Sequence, residues 1–366
     1  MAPAQSFADS ETLFNFVVRD GNGVKGMVDS GVSKVPNQYV QPQEERIDKK
    51  TASVNRNPPI DLSKLGGPEH DMVAEQIATA AETLGFFQVV NHGVPVELLE
   101  ALKDSAHRFF GQPAENKAVY RKGVSPSPLV KYGTSFVPDK EIALEWKDYV
   151  SMTYTNDVEA LQVWPPQCKE ECLEFLRTSM KMVRELLEVL IGKLGVTVDI
   201  EATIEAITGM KMVNMNYYPT CPNPDLTVGV GRHSDLGTLT ILLQDGIGGL
   251  YVKVEEDNDS NKMGDWMEIP PVSGALVINV GDTLQILSNG RYKSAEHRVR
   301  TTSTRSRVSV PIFTIPNATQ KIGPLPQVVK SDGVARYKEI IFGDYMNNFF
   351  TNVHDGKKSL DFATNY

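Results

Sequence analysis

The sequence predicts an α+β fold: a jelly-roll core, or double-stranded β-helix, flanked by helices. Three observations predict it. From Lys211 to Pro316 the chain breaks into short apolar runs separated by Gly, Pro, Asn and Asp, the texture of an antiparallel jelly roll. Before that stretch, residues 68–84, 95–110 and 165–195 carry apolar side chains at helical spacing. Within the β-rich part, polar residues recur two apart: Asn216 with Tyr218, His233 with Asp235, Arg307 with Ser309. Side chains two apart on a strand share a face, so three such pairs predict one polar pocket lined by several strands.

Taken in order, residues 1–56 are mixed and polar and read as an extended arm with one short helix. Pro58-Pro59-Ile60-Asp61-Leu62 opens the compact part. The first helix has Met72, Ile77, Ala80 and Leu84 on its apolar side and ends at Gly85. Phe86 to Val90 is a short apolar strand, and Pro95 suits the first turn of the helix that follows. The longest helical pattern includes Val183, Leu186, Leu187 and Leu190 and stops at Gly195. Glu255 to Gly264 reads as a polar hairpin loop, and residues 333–350 as a last helix. Four units result: an arm (1–56), a helix-rich region (57–205), the jelly-roll core (206–320) and a C-terminal helical segment (321–366).

Composition narrows the class. A chain of 366 residues with 41% hydrophobic content can bury a sizeable core. No run of about eighteen apolar residues occurs, so no membrane span is expected. Met1-Ala2-Pro3-Ala4-Gln5-Ser6 lacks the basic and apolar segments of a secretory signal. Three cysteines (Cys168, Cys172, Cys221) are too few for a disulfide framework, so a reducing, cytoplasmic setting is expected. A net charge of −9 argues against nucleic-acid binding. A monomer is expected.

The chemistry centres on His233, Asp235 and His297. Two histidines and a carboxylate fill one face of a mononuclear iron(II) and leave the other open; zinc would usually take a closed shell or one open water position. Arg307 has two readings: a solvated member of a basic patch with Arg298, Arg300 and Arg305, or a buried guanidinium in need of an anion. Its apolar strand, ending in Pro311-Ile312-Phe313, favours the second. Phe313 shares the Ser309 face and reads equally as a cavity wall for an aromatic substrate or as core. His92, in Asn91-His92-Gly93-Val94-Pro95, reads as a turn residue rather than a fourth ligand. His70, His107 and His354 have no partners at ligand spacing. Cys168 and Cys172 read as packing or surface residues, and Cys221 as a turn residue.

His233-x-Asp235 with His297, Arg307-x-Ser309, Asn216-Tyr217-Tyr218-Pro219 and Gly85-Phe86-Phe87-Gln88-Val89-Val90-Asn91-His92-Gly93 stand in an order that resembles the plant 2-oxoglutarate- and iron(II)-dependent dioxygenases. The resemblance implies that His233, Asp235 and His297 hold Fe(II). It implies that Arg307 grips the distal carboxylate of the co-substrate 2-oxoglutarate, with hydroxyls from Ser309 and Tyr218, and that Asn216 supports the iron-bound end. O2 is the oxidant and ascorbate the expected reductant. Further stretches, among them Gly21-Asn22-Gly23-Val24-Lys25-Gly26, Tyr132-Gly133-Thr134-Ser135-Phe136 and Leu144-Glu145-Trp146-Lys147-Asp148-Tyr149, resemble the feruloyl-CoA and p-coumaroyl-CoA ortho-hydroxylases of coumarin biosynthesis. That branch implies a hydroxycinnamoyl-CoA thioester as the small-molecule substrate, leading to scopoletin or umbelliferone. A basic rim would then be needed, drawn from Arg121, Lys122, Lys131, Lys211, Arg291 and Lys293. The alternatives are the same apparatus acting on free scopoletin, a flavonoid or a hormone, or a non-catalytic binding protein on the same fold.

Overall fold

A computed structural model describes residues 7, 9–49, 51–197, 199–254, 266–351 and 356–365. The expected loop from Glu255 to Gly264 lies outside these residues, as does His354. The core is two facing sheets. The larger has eight strands in the order Ile60–Asp61, Phe86–Val90, Leu276–Val280, Leu239–Gln244, Arg307–Ile315, Met210–Tyr218, Asp148–Tyr154 and Val130–Thr134. The smaller has five, in the order Ser53–Val54, Trp266–Glu268, Leu250–Lys253, His297–Val299 and Val230–His233. Neighbours pair antiparallel except at two ends, where Ser53–Val54 and Ile60–Asp61 join in parallel. This is the expected jelly-roll core.

Alternation along the strands separates packing from chemistry. In Met210–Tyr218, Val213 and Met215 are fully buried within the main hydrophobic core, while Met212, Asn214, Asn216 and Tyr218 line the cavity between the sheets. In Arg307–Ile315, Val308, Val310 and Ile312 join that core, while Arg307, Ser309, Pro311 and Phe313 line the cavity. The outer face is covered by helices, chiefly Val96–Phe110 and the long Lys169–Lys193, whose Leu186, Leu187 and Leu190 are fully buried. Fully burying one such leucine contributes roughly 1.5–3 kcal/mol, so this face anchors the sheet.

Three expectations need correction. The arm is folded, not extended. Ser10–Phe14 and Gly23–Asp29 are helical, a π-turn spans Asn15–Arg19, and Leu13, Val24, Met27 and Tyr39 form a satellite core with Leu144 and Trp146. Its apolar residues are spaced irregularly, and the cluster that buries them is completed by residues distant in sequence, Leu144, Trp146 and Cys221. Second, strands Val130–Thr134 and Asp148–Tyr154, from the region read as helix-rich, extend the main sheet. Third, the last helix is Phe342–Thr351 alone. Gly333, at φ +76°, ends a separate helix, Pro326–Asp332, and a short strand, Ile340–Ile341, intervenes.

Asp148 ties the arm to the main sheet. Its carboxylate accepts the backbone N–H groups of Val24 (2.7 Å) and Lys25 (2.9 Å) at the start of the Gly23–Asp29 helix. Gly23 sits at φ +71°, and a Cβ there would lie 2.5 Å from Asp148 Oδ1, so only glycine admits this approach. Burial pushes the Asp148 carboxyl from 3.8 up to about 6, although the two N–H groups oppose the shift. A carboxyl raised on folding stabilises the fold most below pH 3.8, and that contribution fades as pH climbs through 6. Urea midpoints measured across that window should therefore decline in the wild type and decline less in Asp148→Asn, which has no proton to lose. Parallel slopes in the two proteins would assign the decline to other groups.

Candidate metal centre and its pocket

His233 ends the strand Val230–His233, and His297 begins the strand His297–Val299; the two residues pair directly across the smaller sheet. Their rings lie 4.2 Å apart between centroids. Each ring is oriented by its own backbone. His233 Nδ1 lies 2.9 Å from Gly231 O, and His297 Nδ1 lies 3.1 Å from Ala295 O. Those contacts call for Nδ1–H donors, which makes Nε2 of each ring the lone pair that a metal ion could take. Both Nε2 atoms point to Asp235 Oδ1, at 3.6 and 3.8 Å. The ligand atoms of all three residues lie within 4.8 Å of one another, close enough to share one metal ion.

Asp235 is not on the His233 strand, as the two-residue spacing suggested. It lies just past the strand's end, where the backbone N–H of Asp282 donates to its carbonyl at 2.7 Å. Its carboxylate is divided between two tasks. Oδ1 faces the histidines, while Oδ2 accepts from Thr240 Oγ1 (2.6 Å) and Asn279 Nδ2 (2.8 Å). Thr240 and Asn279 were not identified from the sequence. The available signal was a single asparagine inside the apolar strand Leu276–Val280. Phe86 packs edge-on against His297 at 5.1 Å, shielding the trio from one side.

The trio opens into a cavity of about 170 Å³ between the two sheets. Asn216, Tyr218, Arg307, Ser309 and Phe313 all line it. Arg307 pairs with Tyr218, and Ser309 with Asn216, across adjacent strands. Arg307 is 1% exposed, so it is not a solvated member of a basic patch. Its Nη2 donates to Gln244 Oε1 at 3.2 Å, and its guanidinium lies 4.9 Å from the centre of the Tyr218 ring. Nε and Nη1 are buried with no hydrogen-bond partner among the described residues. Phe136, Phe349 and Phe350, also not identified from the sequence, complete an aromatic wall.

Among the described residues, the other histidines, the cysteines and the candidate basic-rim residues considered from the sequence do not line this cavity. His92 Nε2 contacts Gly274 O (3.0 Å) and its Nδ1 accepts from Val94 N (3.2 Å), so it braces a turn. Burial lowers its pKa. Cys168 and Cys172 are buried against Met152 and Met215, and Cys221 lies beside Thr227. None of Arg121, Lys122, Lys131, Lys211, Arg291 and Lys293 lines the cavity; Arg291, for example, pairs with Asp332 at 2.7 Å. A larger surface cleft, about 730 Å³ beside His70 and Lys181, holds none of the metal trio. Among the described residues, no helix is long and apolar enough to cross a membrane.

Residues 210–316 match the model of the 2OG-Fe(II) oxygenase superfamily. Residues 58–167 match the N-terminal model of non-haem dioxygenases in morphine synthesis. The chain is 68% identical to scopoletin 8-hydroxylase of Arabidopsis thaliana over 359 residues, covering 98% of each chain. It is 52% identical to a feruloyl-CoA ortho-hydroxylase of Ipomoea batatas over 363 residues, covering 99% of each. Among solved structures, JOX2 in complex with 2OG, Fe and JA superposes with a TM-score of 0.81 at 31% identity, covering 94% of this chain and 97% of that one.

The division of labour within Asp235 has a measurable consequence. Removing an outer partner of a metal ligand typically weakens metal binding by about 10–100-fold. Asn279→Ala should therefore weaken iron(II) binding by that factor in anaerobic equilibrium dialysis, while Asp235→Ala should abolish it. Full affinity in both variants would remove Asp235 from the metal site.

Proposed function

The chain belongs to the 2OG-Fe(II) oxygenase superfamily, and from that premise we propose that it hydroxylates the aromatic ring of a free coumarin, scopoletin or a close relative. The observation that carries the co-substrate half is Arg307. A guanidinium buried with Nε and Nη1 unpartnered fits a carboxylate brought in by a ligand. Arg307 would hold the distal carboxylate of 2-oxoglutarate, with Ser309 and Tyr218 adding hydroxyl donors and Asn216 supporting the opposite end. Two imidazole nitrogens and one carboxylate oxygen within 4.8 Å suit the facial set that iron(II) takes. When bound, iron(II) and 2-oxoglutarate supply the oxidation: dioxygen is split between a ring C–H, which becomes C–OH, and 2-oxoglutarate, which leaves as succinate and carbon dioxide.

The chain's own residues then have three tasks. Arg307 orients the co-substrate. His233, Asp235 and His297 hold the metal on one side only. Phe313, Phe136 and Phe349 pack the substrate ring and exclude water. Ascorbate serves as reductant, and the reaction takes place in the cytosol.

Two observations favour a free coumarin over a thioester. Identity is greater to the scopoletin enzyme than to the feruloyl-CoA enzymes. The cavity is also small, with Lys147 and Arg307 as its basic residues among those described, so the phosphates of coenzyme A would meet no basic rim there. Thioester hydroxylation remains the second reading, because the feruloyl-CoA enzymes match over nearly the whole chain.

Scopoletin, feruloyl-CoA and p-coumaroyl-CoA supplied side by side with iron, 2-oxoglutarate and ascorbate should give a product about 16 mass units heavier from scopoletin alone (one added oxygen). Turnover of a thioester but not of scopoletin would reverse the order of the two readings. Losing one or two charged hydrogen bonds, about 1.5–3 kcal/mol each, should raise the KM for 2-oxoglutarate in Arg307→Met at least tenfold. An unchanged KM would place the co-substrate elsewhere.

A further inference from the structure

The cavity wall is graded along two strands. On Arg307–Ile315 and Met210–Tyr218, Arg307 stands opposite Tyr218, Ser309 opposite Asn216, and Phe313 opposite Met212. The first pair is the cationic end and the last the apolar end. Asn214 lies between them on the same face and lines the cavity. Its Oδ1 is buried without a hydrogen-bond partner among the described residues.

The register explains why. On one side Asn214 pairs with Ser151, but Ser151 Oγ donates to Met212 Sδ at 3.0 Å. On the other side, the pairs Ser309 with Asn216 and Ile312 with Val213 put Pro311 opposite Asn214. Proline has no N–H and no polar side-chain atom to offer. The amide is therefore left with an unmet bond in a cavity whose wall also carries Phe136, Phe349 and Phe350, packed edge to face with ring centroids 5.9 Å apart for Phe136 and Phe349 and 5.4 Å apart for Phe349 and Phe350. Buried polar groups are rarely left so. The co-substrate does not account for it: four residues of strand, about 13 Å, separate Asn214 from Tyr218 beside Arg307, farther than a five-carbon diacid extends.

We propose that Asn214 selects a free hydroxyl on the ring of the aromatic substrate. The inference rests on the reaction proposed above and adds to it a residue and a functional group. A hydroxyl suits the site because it both donates and accepts, and so satisfies the amide in either orientation. The aromatic side chains grip the ring's faces, and Asn214 fixes its rotation within them.

The test compares scopoletin with the methyl ether of its ring hydroxyl, using the full chain with iron, ascorbate and saturating 2-oxoglutarate. The wild type should favour scopoletin in kcat/KM. Asn214→Leu should lose about tenfold on scopoletin and little on the ether, so that the preference collapses, with the KM for 2-oxoglutarate unchanged. Asn214→Ser is measured beside it, and both variants are first checked for the melting shift that manganese with 2-oxoglutarate gives the wild type. A wild-type preference kept in both variants, or equal losses on both compounds, overturns the role of Asn214 alone. If the wild type turns over neither compound, the proposed reaction falls and this inference falls with it.

Discussion

A guanidinium sealed from water, with no carboxylate beside it among the described residues, is the constraint on which the β-rich half of this chain depends. Such a group is costly to bury, and the strand that carries it must be rigid enough to keep it in place. That rigidity comes from alternation. Val308, Val310 and Ile312 hold one face of the strand in the hydrophobic core, so Arg307 and Ser309 have no choice but to face the cavity. The helices that cover the outer face thus serve the chemistry without touching it. The neighbouring Tyr218 ring lies against the cation, and Gln244 uses one of its donors. Its Nε and Nη1 have no partner among the described residues, which is what the proposed carboxylate of a ligand would supply.

The candidate metal trio is built on a different principle. Its two histidines belong to adjacent strands of the smaller sheet, and each ring is oriented by a carbonyl two residues before it in its own chain. The aspartate, by contrast, depends on partners from the larger sheet, Thr240 and Asn279. The site therefore spans both sheets, and its geometry depends on how they face each other.

Much of this was legible in the sequence, for a physical reason. Two-residue alternation is local, so Asn216 with Tyr218 and Arg307 with Ser309 could be assigned to a common face from spacing alone. The helices over 70–83, 96–110 and 169–193 were legible because their apolar stripes are long. What was not legible is long-range. Asn279 meets Asp235 across 44 residues, and no spacing rule connects them. Phe136, Phe349 and Phe350 reach the cavity from segments outside the β-rich stretch. The arm misled because its apolar residues form a core with Leu144, Trp146 and Cys221, more than a hundred positions away.

That arm also bears on how such proteins can be recombined. Its second helix begins on the carboxylate of Asp148, and Asp148 directly follows Lys147, a residue of the cavity wall. A chimaera that exchanges the leading segment must keep a glycine at position 23 and the two N–H donors beside it, or the buried acid loses its partners. Exchanges of ring selectivity between relatives should therefore carry the first forty residues and the strand Asp148–Tyr154 as one inherited block.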